Sequence, residues 1–508
     1  MVQYKHNEPY YTLQLSELAD GAVRVLAFEG AEQISHLFHY RLELLSEDAE
    51  LDPAAILNKK ATLFFNRGDG DPLPVHGIIS HFEQRGRTPD YVSYYAELVP
   101  RMWRLELNFQ SRVFQNLNIE QMITEVLESA EFAGEDFEFK LNETYPDIEF
   151  ALQYRETDFN FINRRLEHFG IFYYFEHKDE KDVIVFTDVN DNLPAIETEE
   201  DITYNANKDP LSERETVSRF IYQGQVVTGK TQLKDYNYQT PSKELLAESQ
   251  INSDNPGIHS DYGDHFKDES EGDFQARIRD EEIACRGTLY KGTGDCRAFH
   301  AGYLFTMNEH YREDWNQEFL LKKVVSRGNQ RNLFGTFPSG SKVPPTYENI
   351  FESIPVSIPF RPRREALQPK ISGVLNAKID AAGDGSQAEV DDQGRYKVIL
   401  PFDLSGNADG EASCFMRMIQ PYAGPNYGMH FPLHKGTEVL LTFIDGDPDL
   451  PVISGAVPNP ETISPVTNAN PTKSVIRDNY GNEIVMDATP GDEHIRLHSP
   501  HHNSGLDL

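Results

Sequence analysis

The stretch FIDGDPDLP, residues 443–451, sets Asp445, Asp447 and Asp449 at alternate positions around Gly446. Alternate acids beside a glycine resemble the opening of a calcium loop, which closes on a bidentate glutamate. That glutamate is missing from the required place, and Pro448 interrupts the series. The stretch is therefore read as a strand-connecting turn in which Gly446, Asp447 and Pro448 form the bend. HIRLHSPHH supplies His494, His498, His501 and His502. On a strand, His494 and His498 share a face, and copies gathered about an axis would surround a metal ion. The simpler reading makes them solvent-facing alternates of Ile495 and Leu497. Asp391–Asp392 and Glu281–Glu282 are paired carboxylates, but glycoside cleavage needs two carboxyls facing each other ~5–10 Å apart across a cleft. Chain neighbours do not face in this way. Cys414 lies in a strand-like run, SCFMRM, and reads as core rather than nucleophile. No G-x-S-x-G, H-E-x-x-H or P-loop motif is present. The expectation is a protein without catalytic residues, metal or cofactor: not an enzyme.

What must these residues be built on? The chain has 508 residues, too many for one core, and 39% are hydrophobic. Its net charge of −35 argues against nucleic acid as a partner, because phosphate binding needs clustered Lys and Arg. ETEEDI (197–202) and DESEGD (268–273) read as solvated acidic loops. Three cysteines are too few for a disulfide framework and fit assembly in a reducing cytosol. No run approaches the ~20 apolar residues of a membrane span. MVQYKHNEPYYTLQL lacks the apolar core of a cleaved export signal, so release from the cell would need another route.

Residues 1–110 alternate between Val/Tyr/Phe/Leu-rich runs (YTLQL, VRVLAFEG, HYRLELLS, ATLFF, YVSYYAELVP) and Gly, Asp or Pro clusters, the pattern of a barrel or sandwich. NIEQMITEVLESA (118–130) predicts a helix with Met122, Ile123, Val126 and Leu127 on one face. ETDFNFINRRLEHFG (156–170) predicts a second, capped by Thr157 or Asp158, striped by Phe159, Ile162, Leu166 and Phe169, and ended by Gly170. A hairpin follows, and residues 201–335 read as strands and polar loops. Pro-rich sequence between 338 and 369 marks a boundary. Residues 371–457 hold five short strands with Gly-rich corners, as a small barrel of the OB type requires. The last stretch, GNEIVMDATPGDEHIRLHS (481–499), is two strands around a Thr-Pro-Gly-Asp turn. Ile484 and Met486 share a face with Ile495 and Leu497, and two strands alone are marginal in water.

Four stretches, in order along the chain, resemble the VgrG family of type VI secretion spikes, which is similar to the hub and needle of T-even phage baseplates. They are QYRETDFNFINRRLEHFGIFYYFEH (153–177), preceded by RVFQNLNIEQMITEVLES; LKDYNYQTP (233–241), followed by AGYLFTMNEH; DDQGRYKVILPFD (391–403) with AGPNYGMHFPLHKGTEVLLTFIDGDPDLPVISGAVPN; and DNYGNEIVMDATPGDEHIRLHS (478–499). The chain departs from the family at Phe402 and Phe415, where Trp is common, and at Leu433, where Arg is common.

The resemblance implies a mainly β fold with an α+β hub of two barrel-like subdomains over 1–360 and a linker at 361–370. An OB-fold domain over 371–457, a linker at 458–473 and the start of an intertwined triple-stranded β-helix over 474–508 follow. It implies a homotrimer whose needle core holds Ile484, Met486, Ile495 and Leu497. It further implies docking on a hexameric tube of haemolysin-coregulated protein, a tip protein of proline-alanine-alanine-arginine repeats, and effector cargo. The spike would assemble in the bacterial cytoplasm and be secreted through the apparatus into the medium or a target cell. Two other roles fit the same pattern: a truncated spike with a toxic enzyme domain beyond residue 508, and the hub of a phage-like contractile tail.

Overall fold

The computed structural model describes residues 9–67, 70–196, 202–207, 215–251, 253–334, 346–383 and 385–507. Most of ETEEDI lies outside them. The chain forms two compact units, one of residues 1–110, 117–147 and 156–368, the other of 111–116, 148–155 and 369–508.

In the first unit, Gly70–Arg87 buries consecutive residues from Val75 to Ile79, while strands Tyr11–Leu15, Arg24–Gln33, His39–Ser46, Lys60–Arg67 and Val92–Val99 bury largely alternate side chains, as period-two patterning requires. Along the last of them Val92, Tyr94, Ala96 and Leu98 face inward. The sequence had read no strand over Gly70–Arg87. Its opening GDPLP looks like a turn, yet the strand runs 18 residues and bends at register shifts after Ile79 and Gln84.

Strand Glu318–Asn329 belongs to two barrels. Its first residues pair with Leu304–Asn308, its later ones with Arg24–Gln33, and Thr346–Pro355 runs along its other edge. From Leu304–Asn308 the ladder continues through Ile202–Tyr204, Thr216–Gly224 and Thr288–Gly294 to Thr346–Pro355, which returns to Glu318–Asn329. Those six strands close on themselves. The other barrel has a seam between Tyr11–Leu15 and Arg24–Gln33, and one side chain spans it. The buried amide of Gln330 accepts from the N–H of Tyr10 (2.8 Å) and Tyr11 (3.2 Å). It donates to the carbonyls of Tyr11 (2.8 Å) and Val25 (2.7 Å). A side-chain amide thereby substitutes for a missing rung of the ladder.

Both barrels also share a packing device. Gly30 lies opposite Tyr40, Gly328 opposite Phe28, and Gly292 opposite Phe351. In each pair the ring covers the bare backbone so closely that an added Cβ would overlap it. Here the residue type follows from the room available.

Among the described residues the first unit also holds three α-helices. The first, α1 (Ile119–Ser129), starts with a capping box between Asn118 and Gln121. The second, α2 (Asp158–Phe169), is capped by the Thr157 hydroxyl and ends at Gly170 in the left-handed region (φ 71°). Its buried stripe is Phe161, Ile162, Leu166 and Phe169, so Phe161 takes the inward place the sequence had given to Phe159. The third, α3 (Glu269–Ala284), was not expected. DESEGD is its cap and first turn, with the Asp268 carboxylate accepting from the N–H of Glu271 (3.0 Å). Segment 361–368, read from sequence as linker, lies along α2. Asn160 exchanges two hydrogen bonds with the Leu367 backbone, and the Glu167 carboxylate accepts from the N–H of Glu365 and Ala366.

In the second unit, Leu375–Asp380 pairs with Lys397–Ile399 and with Glu438–Phe443, which pairs with Pro451–Ala456. Residues 416–419 complete the ring, bonding to Tyr396 on one side and Ile453 on the other. The result is a five-stranded barrel filled by Ile379, Tyr396, Val398, Met416, Val439, Leu441 and Ile453. Phe150 and Leu152, within the range assigned by sequence to the hub, join this core.

Candidate functional site

The terminal strands form an antiparallel sheet of Lys473–Arg477, Glu483–Asp487, His494–Ser499 and Ser504–Asp507. Each bend has its own local cause. The Asp478 carboxylate accepts from the N–H of Tyr480 and Asn482 at 2.9 Å, ahead of Gly481 at φ 88°. Asp487 accepts from the Thr489 N–H (3.0 Å) and hydroxyl (2.6 Å), and Gly491 (φ 85°) completes the Thr-Pro-Gly-Asp turn.

Register places Ile476, Ile484, Leu497 and Leu506 in one row across all four strands. Met486 and Ile495 form the next row. These six side chains share a face and are each 40–53% exposed. The opposite face is mainly polar but carries Val475 and the buried Val485: around them Lys473 pairs with Asp487 (3.2 Å) and Arg477 with Glu483 (2.6 Å). His494, Arg496 and His498 lie on that polar side. Sequence reasoning identified Ile484, Met486, Ile495 and Leu497 but missed Ile476 and Leu506. The strands carrying those two are short, and Gly505 weakens the pattern of the last.

The remaining candidate chemistry is accounted for by structure. In the OB turn Gly446 has φ 73° and its carbonyl accepts from the N–H of Ile371 (2.8 Å). Asp447 accepts from the Asp449 N–H (2.9 Å), and Asp449 accepts from the Leu152 N–H (2.7 Å). Asp447 and Asp449 thus satisfy backbone donors around Pro448, while Asp445 is exposed with φ 53°. Among the described residues, the acid–histidine group with donor atoms within 4.8 Å of one another is Asp487, Asp492 and His494. There the Thr489 hydrogen bonds, and then Lys473, hold the Asp487 carboxyl down to about 2. The Lys473 ammonium already supplies the positive charge. Glu281 binds Arg361 (2.7 Å), Glu282 binds Arg279 (2.6 Å), and Asp391 accepts from Arg395 (2.6 Å). Burial pushes the Cys414 thiol up to about 12, far from a thiolate nucleophile. Glu32 takes hydrogen bonds from Tyr40 and His300 in the interior; burial raises its pKa, but His300 brings it below the ordinary value.

Residues 31–332 match the phage tail baseplate hub (GPD) family, and residues 387–457 match the type VI secretion system/phage-baseplate injector OB domain. The type VI secretion system spike protein VgrG1a of Pseudomonas aeruginosa is 30% identical over 505 residues, covering 94% of this chain and 75% of its own length. VgrG1b of the same organism is 30% identical over 499 residues, covering 95% of this chain; the chain spans 66% of that relative. Among solved structures, the E. coli c3393 protein shares the fold at TM-score 0.64 and 24% identity, covering 88% of this chain and all of its own. That protein is described as a type VI secretion component with structural similarity to T4 tail proteins gp27 and gp5. By its hub, its injector OB barrel and its sequence, the chain belongs to the VgrG family of type VI secretion system spike proteins.

Proposed function

We propose that this chain forms a homotrimeric spike whose role is mechanical: three copies carry effectors and puncture a target membrane when the secretion tube is driven outward. The carrying observation is the terminal sheet face with six half-exposed apolar side chains. Three such faces wound about one axis bury Ile484, Met486, Ile495 and Leu497 together, and neighbouring chains pair the strand edges. Two barrels per chain give six per trimer, a match for a six-membered ring of haemolysin-coregulated protein at the hub end. The terminal strands would accept a tip protein of proline-alanine-alanine-arginine repeats. Within this chain the acids and histidines shape turns and ion pairs, so its part in the spike is structural and not catalytic. No described helix is long and apolar enough to cross a membrane. The kinship with type VI secretion spike proteins supports assembly in the cytoplasm and release through that apparatus. Light scattering of the purified chain tests the reading: a mass of three chains is expected, and a stable single-chain mass at micromolar concentration overturns it.

A further inference from the structure

A cleft of about 680 Å³ opens in the first unit between α2, the end of α3, the turn after Arg24–Gln33 and segment 360–366. This is within the ~300–1,000 Å³ typical of ligand sites. Lys322 and Lys323 both line it. In a regular strand, successive side chains point to opposite faces. Here the pairing with Thr346–Pro355 slips between Leu321 and Lys323, and this bulge lets two consecutive lysines reach one cavity.

The bulge lies where the shared strand passes from one barrel to the other. Among the described residues neither lysine enters an ion pair: Glu352, opposite Lys323, is taken by Lys291 at 3.2 Å, and Lys322 rests over the Phe360 ring at 5.6 Å. The other carboxylates nearby are committed as well. Glu282 binds Arg279 and Arg286, Glu365 binds His36, and Glu167 accepts two backbone N–H groups. Glu106 stays at the exposed rim. Five glutamates and five Lys or Arg line the cleft, a near balance in a chain with 82 acidic and 47 basic residues; the three arginines are paired with Glu282, Glu281 and Glu365, which leaves Lys322 and Lys323 as its cations without an ion pair among the described residues.

We propose that this cleft docks an acidic peptide segment of a partner protein, its carboxylates on Lys322 and Lys323 and an apolar side chain against Phe159 and Phe360. The apolar floor suits a chain that alternates charged and apolar residues. A phosphate backbone would carry unbroken negative charge past Glu106, Glu282 and Glu352. The inference concerns one chain alone and does not rest on trimer assembly.

The test uses the full chain and fluorescein-labelled hexapeptides that are strongly acidic, neutral or strongly basic, each with one Phe. Acidic peptides are expected to bind, more weakly at high salt, and Lys322→Gln with Lys323→Gln should weaken them about tenfold, or ~1.4 kcal/mol. Lys234→Gln with Lys243→Gln, both exposed and outside the cleft lining, should leave binding unchanged, and matching circular dichroism melts would show that both variants fold. Equal binding of all three peptide classes overturns the proposal, as does an unaffected double variant. Full displacement by tripolyphosphate at equal affinity would mean a simple anion site. A double variant that alters assembly mass but not peptide binding would assign the cleft to a second copy.

Discussion

At the scale of single residues, two side chains decide more than their types announce. Gln330 closes a barrel seam with four hydrogen bonds to backbone that lies more than 300 positions earlier. Gln330→Leu keeps the bulk but strands backbone groups that cost about 1–3 kcal/mol each when buried unpaired. A loss of about 3 kcal/mol or more is expected in urea unfolding, with faster amide exchange at Tyr11. Unchanged exchange there would deny the seam its amide. Glu167 is the second case. Burial raises its carboxyl to about 7, partly offset by the N–H groups of Ala366 and Glu365. Between pH 4.5 and about 7 the unfolded chain has released this proton while the folded chain still holds it, so stability falls as pH rises through that window. Glu167→Gln keeps an oxygen acceptor without the charge. It should match the parent near pH 4.5 and exceed it by about 2–3 kcal/mol near pH 8. Parallel stability curves for the two proteins would refute the assignment.

At the scale of elements, the glycine–aromatic pairs are the sharpest constraint. Gly328→Ala should cost about 1–3 kcal/mol, because the methyl group enters the Phe28 ring. Phe28→Leu in that background should recover part of the loss, and strict additivity in the double-mutant cycle would show that the two do not touch. The same scale shows what was legible beforehand. Strands of one-sided burial, the capped helices α1 and α2, and the five OB strands follow from alternation, caps and turn residues. Helix α3 does not, because it buries charge instead of an apolar stripe: Arg279 pairs with Glu282, and Asp280 accepts from Ser249 and Ile251. Gln330 and the bulge at Lys322 were equally invisible, since each acquires meaning only from partners distant in sequence. The terminal sheet was read as two strands where four form, although the apolar face of those two was placed by simple parity.

At the scale of the whole molecule, the terminal face separates a single chain from an assembly. Ile495 is 47% exposed in one chain, so Ile495→Asp in a lone chain should cost only ~0.5 kcal/mol. In a three-fold needle it would bury three carboxylates in one layer, each costing several kcal/mol or forced to protonate. Thermal unfolding with chromatography should therefore show loss of trimer for Ile495→Asp. His498→Gln on the polar face serves as the control and should leave the trimer intact. His494 is less suitable for added charge, because Asp487 and Asp492 already crowd it. Equal losses from both variants would mean that the face is not a core.

The strand common to both barrels sets an order of events during synthesis. Arg24–Gln33 finds its second neighbour only at residues 323–329. At about 5–20 residues per second, the ribosome takes roughly 15–60 s to deliver that strand after the first one emerges. Throughout that interval the N-terminal strands have hydrogen-bonding edges with nothing to pair against, and open edges invite other chains. Newly made chains on one messenger are spaced closely enough to meet in this state. A cell making this protein therefore has to shelter a half-built barrel until its last stave arrives, and fragments ending before residue 318 would keep that edge open.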